Sequence, residues 1–545
     1  MYENISVAYF SAEIGLDSKI KTYSGGLGIL AGDTLKAMAD LEVPVCGITL
    51  LYKKGFFKQE IIDTYQIEEA DLWDFQSLMS DLGVLCKVNI LGEDIAIKVW
   101  RYEVKGETGF RIPVFFLDTD LKENPLWAQD LTQRLYNDNR IAQEMILGIG
   151  GVRALASLGV TKIRKYHMNE GHSAFLTLEL YKHFGETIGW DDGLVKEACI
   201  FTTHTPIPAG HDKFSYSDIE EHFKGEKKLL PWHLKSLAGQ DKLNMTRLAL
   251  SLSSYHNAVS RKHKEVSSTM FPDFDIDYIT NGIHIASWLC PHMTELFDRY
   301  LKGWKTKYSL LEEVFKIPNS DVYKAHLAAK ADMISMVNER NVTGAKLRND
   351  VLTIGFARRF IAYKDAELIF RNVEHLKSLG KKVQFVFAGK SHMRDGIGKE
   401  IMRRVITHAV ELSKDVSICF VPDYDIEVAQ KLVSGVDVWL NTPIPNNEAS
   451  GTSGMKAAAN GVLHFSRLDG WAIEGFERNS GGLPLMEYQD LLSLLEYKLI
   501  PMFSSKNKSA WVEEMKLAIG NGASYFNTHR MVREYLEKGY KINLP

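Results

Sequence analysis

Nine consecutive residues, from Glu448 to Lys456, combine one carboxylate, a run of small residues and one lysine. This lysine segment reads Glu-Ala-Ser-Gly-Thr-Ser-Gly-Met-Lys. Ser, Gly and Thr have little side-chain bulk, so their amide groups can turn toward an anion, as amides do at helix N-termini. The alanines after Lys456 favour a helix, whose positive N-terminal end disfavours a further cation. A lysine kept neutral in this way can form a Schiff base, and Glu448 can accept hydrogen bonds from hydroxyl groups.

A second group of candidate residues is basic. Arg358, Arg359 and Lys364 lie close together in the chain, directly after the apolar run at 351–355. Arg offers a planar fork of donors and Lys a point charge, and together they suit a compact dianion such as phosphate. A solvated basic turn is the alternative that this segment leaves open.

Three shorter motifs lie next to apolar stretches. Gly25 and Gly26 belong to a Tyr-Ser-Gly-Gly-Leu-Gly loop, and His204 belongs to a segment that follows the apolar stretch at 198–200. Asn281 begins an Asn-Gly pair shortly before Trp288. Each motif alone is typical of a turn or of a structural residue. Their positions after predicted strands, however, favour crevice loops of an open α/β sheet.

The lysine segment resembles the pyridoxal-phosphate attachment segment of the α-glucan phosphorylases, which act on glycogen, starch or maltodextrin. The resemblance implies that Lys456 carries pyridoxal 5'-phosphate. It also implies that the amides of Thr452 and Ser453 hold the cofactor phosphate. Residues of the same segment are then expected to contact the sugar, namely Glu448, Ser450 and Gly451.

The cation segment is similar to another motif of this family, Lys/Arg-Arg-x-x-x-Tyr-Lys. The resemblance assigns Arg359 and Lys364 to the substrate phosphate and to catalysis, and Arg358 to the cofactor phosphate. Retaining UDP- and ADP-glucose transferases carry a similar Arg and Lys. The cation segment is therefore typical of the whole superfamily, and the lysine segment favours the phosphorylases within it.

The shorter motifs also look like phosphorylase segments. The resemblance places His204 against the glucosyl 6-hydroxyl and the scissile bond, and Asn281 at the sugar. It places Gly25 and Trp288 at the cofactor and Gly26 at the substrate. One departure is the stretch 441–447, Asn-Thr-Pro-Ile-Pro-Asn-Asn, where short phosphorylases carry Asn-Thr-Pro-Arg-Arg-Pro. Two positive charges are missing there, so the affinity for the glucan acceptor is expected to differ.

The resemblance implies reversible phosphorolysis with retention, in which an α-1,4-glucan and orthophosphate give α-D-glucose 1-phosphate. Two other classes stay open. One is a nucleotide-sugar-dependent retaining glucosyltransferase of the glycogen synthase type, which needs no pyridoxal phosphate. The other is a catalytically impaired glucan-binding protein, suggested by the changed 444–447 loop. Because few residues precede Gly25, we expect no allosteric nucleotide site of the kind found in long relatives; a homo-oligomer stays open.

Composition excludes several other classes of function. The chain has 545 residues and a net charge of -4, so no basic field draws it to nucleic acid or to anionic lipid. No apolar run is long enough to cross a bilayer. The five cysteines are an odd number and widely spaced, which indicates reduced thiols in a cytoplasmic protein. His167 and His172 are five residues apart rather than at a zinc-binding helical spacing, so no metal site is predicted.

The elements that must position these residues alternate between apolar runs and helical patterns, which predicts α/β units with parallel sheets. Predicted strands include 352–354, 383–388, 416–421 and 436–440 in the second half, and 7–10, 43–51 and 200–202 in the first. Predicted helices include 139–158, 245–261 and 525–538. The resemblance implies the GT-B architecture, with two Rossmann-like domains facing a cleft. The expected domains are a glucan and phosphate domain at 1–281, a pyridoxal-phosphate domain at 282–515 and a helical segment at 516–545, which packs back on the N-terminal domain.

Overall fold

The computed structural model describes residues 2, 4–486 and 489–543. Within them the chain is a mixed α/β structure, as the sequence predicts. The strands, numbered in chain order, are β1 Val7–Ser11, β2 Val45–Leu50, β3 Lys58–Ile62, β4 Tyr65–Glu69, β5 Ser80–Ile90, β6 Glu93–Lys105, β7 Arg111–Asp118, β8 Lys165–Asn169, β9 Cys199–Thr202, β10 Lys213–Phe214, β11 Leu243–Asn244, β12 Tyr255–Ala258, β13 Asp277–Tyr278, β14 Leu352–Ala357, β15 Val383–Ala388, β16 Ile418–Val421, β17 Val438–Asn441, β18 Leu463–Arg467 and β19 Leu483–Leu485.

The α-helices fill most of the connections between strands. In chain order they are α1 Gly26–Asp40, α2 Phe75–Leu78, α3 Leu126–Gln129, α4 Arg140–Met145, α5 Gly151–Ser157, α6 Leu176–Thr187, α7 Asp192–Ala198, α8 Tyr216–His222, α9 Leu234–Ala238, α10 Met245–Ser251, α11 Arg261–Met270, α12 Ile285–Trp288, α13 Pro291–Tyr300, α14 Asn319–Arg340, α15 Val373–Leu379, α16 Gly396–Glu411, α17 Ile426–Gly435, α18 Thr452–Ala459, α19 Trp471–Glu477, α20 Leu491–Leu494, α21 Ile500–Ser504, α22 Ser509–Leu517 and α23 Thr528–Glu534. Within the described residues, none of them combines the length and apolar character that a membrane span requires.

The chain divides into two compact units. The first takes in the described parts of Met1–Phe56, Ala70–Thr280 and His529–Pro545, and the second consists of Phe57–Glu69 and the described parts of Asn281–Thr528. The β3–β4 hairpin therefore belongs to the second unit although it lies early in the chain. The predicted domains at 1–281, 282–515 and 516–545, and the roles given to them, stay predictions.

The first unit contains a nine-stranded sheet in the order β13-β12-β9-β8-β1-β2-β7-β6-β5. The strands from β13 to β7 run parallel, and β6 and β5 are antiparallel at one edge. Side chains of β1 alternate between two buried clusters, with Ala8 and Phe10 in one and Val7 and Tyr9 in the other. Apolar layers thus cover both faces of the sheet, which explains why β1 is buried throughout.

The second unit contains a six-stranded, fully parallel sheet in the order β16-β15-β14-β17-β18-β19. From β14 the chain adds β15 and β16 on one side, and it then returns to add β17 on the other. This reversal makes the carboxyl ends of β14 and β17 a topological switch point, where open α/β sheets bind ligands. In the first sheet the same reversal occurs between β1 and β8.

Most sequence predictions of elements are confirmed, and one long helix is wrong. The strand predicted at 383–388 is β15, and the other predicted strands agree within a few residues. The helix predicted at 139–158 is formed by α4, a π-helical turn and α5. The helix predicted at 245–261 is instead α10 followed by the strand β12. Pairing of β12 with β9 and β13 buries Asn257 and Ala258, and this tertiary pairing overrides the local helical pattern.

A buried ionic network holds the amino-terminal ends of the switch-point strands together. Asp437, just before β17, accepts hydrogen bonds from the Lys330 ammonium at 2.6 Å and from the Thr353 amide of β14 at 2.7 Å. His326 lies 2.9 Å from the other carboxylate oxygen. Burial raises the pKa of Asp437, but the charges of Lys330 and His326 outweigh it and the pKa is lowered overall. Lys330 and Asp437 are both inaccessible to solvent, so each depends on the other for its charge.

Lys330→Met tests this network. It should lower the free energy of unfolding by about 3 kcal/mol or more, because removing one partner leaves a buried charge uncompensated. Denaturant titration measures the change. Lys316→Met, which removes an exposed ion pair with Glu313, is the control and should change stability by less than about 1 kcal/mol. Equal effects of the two substitutions would contradict the role given to the network.

Candidate active site

The cation segment lies at the carboxyl end of β14, as predicted. Arg358 and Lys364 are buried, at 9% and 8% exposure, whereas Arg359 is exposed to solvent. The chain turns at Asp365, which adopts a positive φ of 49°, and the Thr442 hydroxyl donates to the Lys364 carbonyl at 3.0 Å. The residue after β17 therefore fixes the turn that carries Lys364.

The lysine segment follows β17 on the other side of the switch point. Gly451 adopts the left-handed conformation with φ of 84° and precedes α18, which begins at Thr452. A side chain at Gly451 would be strained in this conformation. Lys456 is the fifth residue of α18 and is buried, and its ammonium group lies 3.6 Å from the centroid of the Trp288 ring. The structure thus brings together Lys456 and Trp288, which the family resemblance assigned to one site.

Glu448 is the counter-ion of the buried cations. Its carboxylate accepts hydrogen bonds from Lys364 at 2.5 Å and from Arg358 at 3.2 Å. Burial raises the pKa of Glu448, but these two charges outweigh it and hold the pKa below its usual range. Arg358 also lies 3.5 Å from the Ser453 hydroxyl, which accepts a hydrogen bond from the Trp439 indole at 3.1 Å. The cation and lysine segments therefore form one charged cluster.

The switch point of the first sheet carries His204 in a separate polar network. His204 Nε2 lies 2.7 Å from the Asn169 side-chain oxygen, and its amide donates to Glu170 at 2.8 Å. Burial lowers the pKa of His204 to about 4, so the imidazole is neutral at pH 7. Glu170 has a positive φ of 76°, a strained conformation for a side chain of this size. Such strain is typical of functional sites.

The glycine loop of the first unit is fixed by Glu13, which follows β1. The Glu13 carboxylate accepts hydrogen bonds from the amides of Ser24 at 2.7 Å and Gly25 at 3.3 Å, and from the Tyr136 hydroxyl. A methyl group built on Gly25 or Gly26 would meet no atom within 4 Å. The two glycines thus border open space, as a loop that approaches a ligand must. Glu13 was not found from the sequence.

Comparisons with known proteins identify the family of this chain. The sequence profile of the family described as carbohydrate phosphorylase matches residues 17–86 and 190–481. Maltodextrin phosphorylase from Thermococcus litoralis is 36% identical over 98% of this chain and 70% of its own length. Glycogen phosphorylases from Aquifex aeolicus and Mycobacterium tuberculosis are both 34% identical over 98% of this chain, and 86% and 70% of their own lengths are covered. The chain belongs to the carbohydrate phosphorylase family.

The phosphorylase chain also uses positioning residues that the sequence did not point out. Arg467, at the end of β18, forms an ion pair with Asp365 at 3.0 Å and donates a hydrogen bond to the Thr442 carbonyl at 3.2 Å. Asp469, two residues later, binds the amides at the start of the lysine segment. Their only signal was a polar stretch, Arg-Leu-Asp-Gly, directly after the apolar run of β18.

Several buried polar atoms around the lysine segment of this phosphorylase have no hydrogen-bond partner in the part of the chain that the structure describes. They are Asn441 Oδ1, Ser450 Oγ, Trp471 Nε1 and both ring nitrogens of His464. Buried polar atoms in folded proteins are nearly always satisfied, so a cluster of exceptions calls for an explanation. One explanation that fits is a polar ligand bound at the lysine segment.

Acid conditions should destabilise this phosphorylase because it buries neutral histidines. Burial lowers the pKa of His167 and His464 to about 3, and that of His204 and His263 to about 4. In the unfolded chain these groups take up protons near pH 6.5. The unfolded state therefore binds protons first as the pH falls, and the stability present above about pH 7 should decrease between about pH 6.5 and 4. Thermal denaturation midpoints at pH 7.5, 6 and 5 measure this, and a constant midpoint would contradict it.

Proposed function

We propose that this phosphorylase is an α-glucan phosphorylase, which transfers a glucosyl residue from the end of an α-1,4-glucan to orthophosphate and releases α-D-glucose 1-phosphate. The observation that carries the proposal is the cluster at the second switch point, where two buried cations pair with the carboxylate that begins the lysine segment, and the buried Lys456 lies on the helix of that segment. The names of the relatives, glycogen and maltodextrin phosphorylase, support the same substrate class.

The cofactor that we propose is pyridoxal 5'-phosphate on Lys456. The Thr452 and Ser453 amides, at the N-terminus of α18, and the Arg358 guanidinium form a suitable set of phosphate donors. Trp288 would border the cofactor, and the unsatisfied atoms of Ser450 and the nearby strands fit a polar ligand at this place. When bound, the cofactor supplies a phosphate group that exchanges protons near neutral pH.

Lys364 and Arg359 are proposed to bind the substrate phosphate. Two neighbouring phosphate groups repel each other, by about 4 kcal/mol per unit charge pair at 4 Å and an effective dielectric of 20. The cations offset this repulsion. Arg359 is exposed and therefore available to an arriving anion. Lys364 already binds Glu448, so it can bind phosphate only if its ammonium group contacts both anions. Substrate phosphate and Glu448 would thus both interact with the positive charge of Lys364.

We further propose that the fold is of the GT-B type, with two Rossmann-like domains, and that the residues on the first sheet serve the same reaction. His204, neutral at pH 7, can exchange a hydrogen bond with a sugar hydroxyl. Gly26 and Asn281 are proposed to contact the substrate, as are Ser450 and Gly451. Gly25 is proposed to serve the cofactor as part of the same glycine loop as Gly26.

The role proposed for the Glu448 carboxylate agrees with a retaining reaction in which phosphate is the nucleophile. Glu448 has a lowered pKa and is held by two cations, so it suits hydrogen-bond acceptance from sugar hydroxyls and not proton donation. Orthophosphate, bound by the cations, would attack on the face that the leaving glucan vacates. A retaining nucleotide-sugar transferase would share the cations but would have no need of the lysine segment, so Lys456 favours the phosphorolytic reaction.

Lys456 gives the test of the cofactor proposal. Borohydride reduction of the purified protein should fix the mass of pyridoxal phosphate on Lys456 alone, because a buried amine next to phosphate donors is selected over surface lysines. Peptide mapping by mass spectrometry measures this. The absorption spectrum should show a band outside the aromatic region, and Lys456→Ala should lose it. Unmodified Lys456 after reduction would rule out this cofactor assignment and would favour the transferase.

The phosphate proposal is tested with Lys364→Ala and Arg359→Ala. Each should lower kcat/KM for orthophosphate by about 100- to 1,000-fold, because such groups stabilise charge in the transition state as well as in the bound state. Release of glucose 1-phosphate from maltodextrin measures the rate. Lys414→Ala, which removes an exposed lysine, is the control and should behave as the wild type. Normal phosphate kinetics in both variants would refute the proposal.

A further inference from the structure

Asp469 binds the start of the lysine segment from the neighbouring strand. It follows β18 and is 1% exposed. One carboxylate oxygen accepts hydrogen bonds from the amides of Asn447 at 3.1 Å and Glu448 at 2.9 Å. The other accepts from the amide of Gly470 at 2.9 Å. A single buried carboxylate therefore connects the turn after β18 to the backbone of Glu448.

A second contact fixes the same segment a few residues later. The amide of Trp471 donates to the Ser450 carbonyl at 2.9 Å. Gly470 has a positive φ of 55°, and a methyl group built on it would lie 2.4 Å from that carbonyl oxygen. Only glycine allows the two backbones to approach this closely. The backbone from Asn447 to Ser450 is thus held on both sides of Glu448.

We propose that Asp469 is a positioning residue, which fixes the backbone of Glu448 so that its carboxylate meets Lys364 and Arg358. Its effect on turnover rests on the proposed function, whereas its hold on the backbone does not. Glu448 has a flexible side chain, and a carboxylate that must meet two cations at 2.5 and 3.2 Å needs a fixed starting point. Asp469 supplies that point from a separate strand.

The charge of Asp469 fits this role. Burial raises its pKa to about 6, although the amides of Glu448, Gly470 and Asn447 oppose the shift. Asp469 is thus mostly ionised at pH 7.5 and accepts all three amide hydrogens. An asparagine in its place would direct an amide nitrogen at one side of this set, which leaves at least one backbone amide without an acceptor. Asp469→Asn therefore weakens the hydrogen bonds to the segment with almost no change in side-chain volume.

Hydrogen exchange tests the structural part of the proposal without any assay of activity. At pH 7.5, peptides that cover residues 444–451 should exchange faster in Asp469→Asn than in the wild type. Asp490→Asn is the matched control, since Asp490 is a partly exposed aspartate that caps α20 through the Ser493 amide. It should leave exchange at 444–451 unchanged. Equal exchange in wild type and Asp469→Asn would overturn the proposal.

A double-mutant cycle tests the functional part. Asp469→Asn should lower kcat for phosphorolysis by about 10- to 100-fold, with normal cofactor absorbance and a small change in KM for the glucan. In a Glu448→Gln background, Asp469→Asn should cost less than about threefold, because residues that act through one another are not additive. Equal losses in both backgrounds would show that Asp469 does not act through Glu448, and they would overturn the proposal.

Two further outcomes are distinguished by the same set of proteins. If the wild type shows no phosphate-dependent release of glucose 1-phosphate, the proposed function fails, and the exchange measurement still decides whether Asp469 holds the segment. Asp469→Asn could lower the denaturation midpoint far more than Asp490→Asn does. In that case the variant to use is Asp469→Glu, because glutamate keeps both acceptor oxygens. Asp469→Glu should then show fast exchange at 444–451 and reduced kcat in a stable protein, and wild-type values of both would overturn the proposal.

Discussion

The two buried cations Arg358 and Lys364 require an anionic partner, and the rest of the site depends on that requirement. An unpaired charge in a protein interior is strongly destabilising, so the fold has to bring a carboxylate to them. Glu448 meets both, and it is 84 residues away from Lys364 in the chain. This contact joins the loops after β14 and β17, which are neighbours because the sheet reverses its order there. A phosphate that enters the cluster would compete with Glu448 for the same positive charge.

Both ends of the second sheet carry buried ion pairs, but the surroundings of the two sets of charges differ. At the amino-terminal end, Lys330 and Asp437 are inaccessible to solvent and fully paired, which suits a structural network. At the carboxyl end, the cluster of Glu448 is slightly accessible, and polar atoms of the same segment, such as Ser450 Oγ, have no hydrogen-bond partner among the described residues. The difference follows from parallel strand topology, since the switch point opens a crevice only at the carboxyl ends. Asp469 and Arg467, on β18 and its following turn, then determine where the loops of that crevice lie.

Much of the fold was predictable from the sequence, because buried parallel strands are short apolar runs and the helices between them are longer amphipathic stretches. The strand at 383–388 was found with both of its ends. The helix at 245–261 was predicted wrongly, since strand pairing with β9 converts its second half to β12. The polar residues that follow β18 were missed. Nothing in their local pattern shows that they bind a segment about twenty residues earlier in the chain.

The sequence by itself determined the kinds of chemistry available, since a small-residue loop that ends in one lysine, and clustered basic residues after a strand, are local patterns. It also determined the order in which these patterns occur, which is why a family resemblance was visible. Only the tertiary structure decided that Glu448 pairs with Lys364 and Arg358, that Trp288 lies against Lys456 and that Asp469 holds the segment. These contacts join residues on different strands and helices. The physical reason is that strand order within a sheet, and not distance along the chain, determines which loops meet.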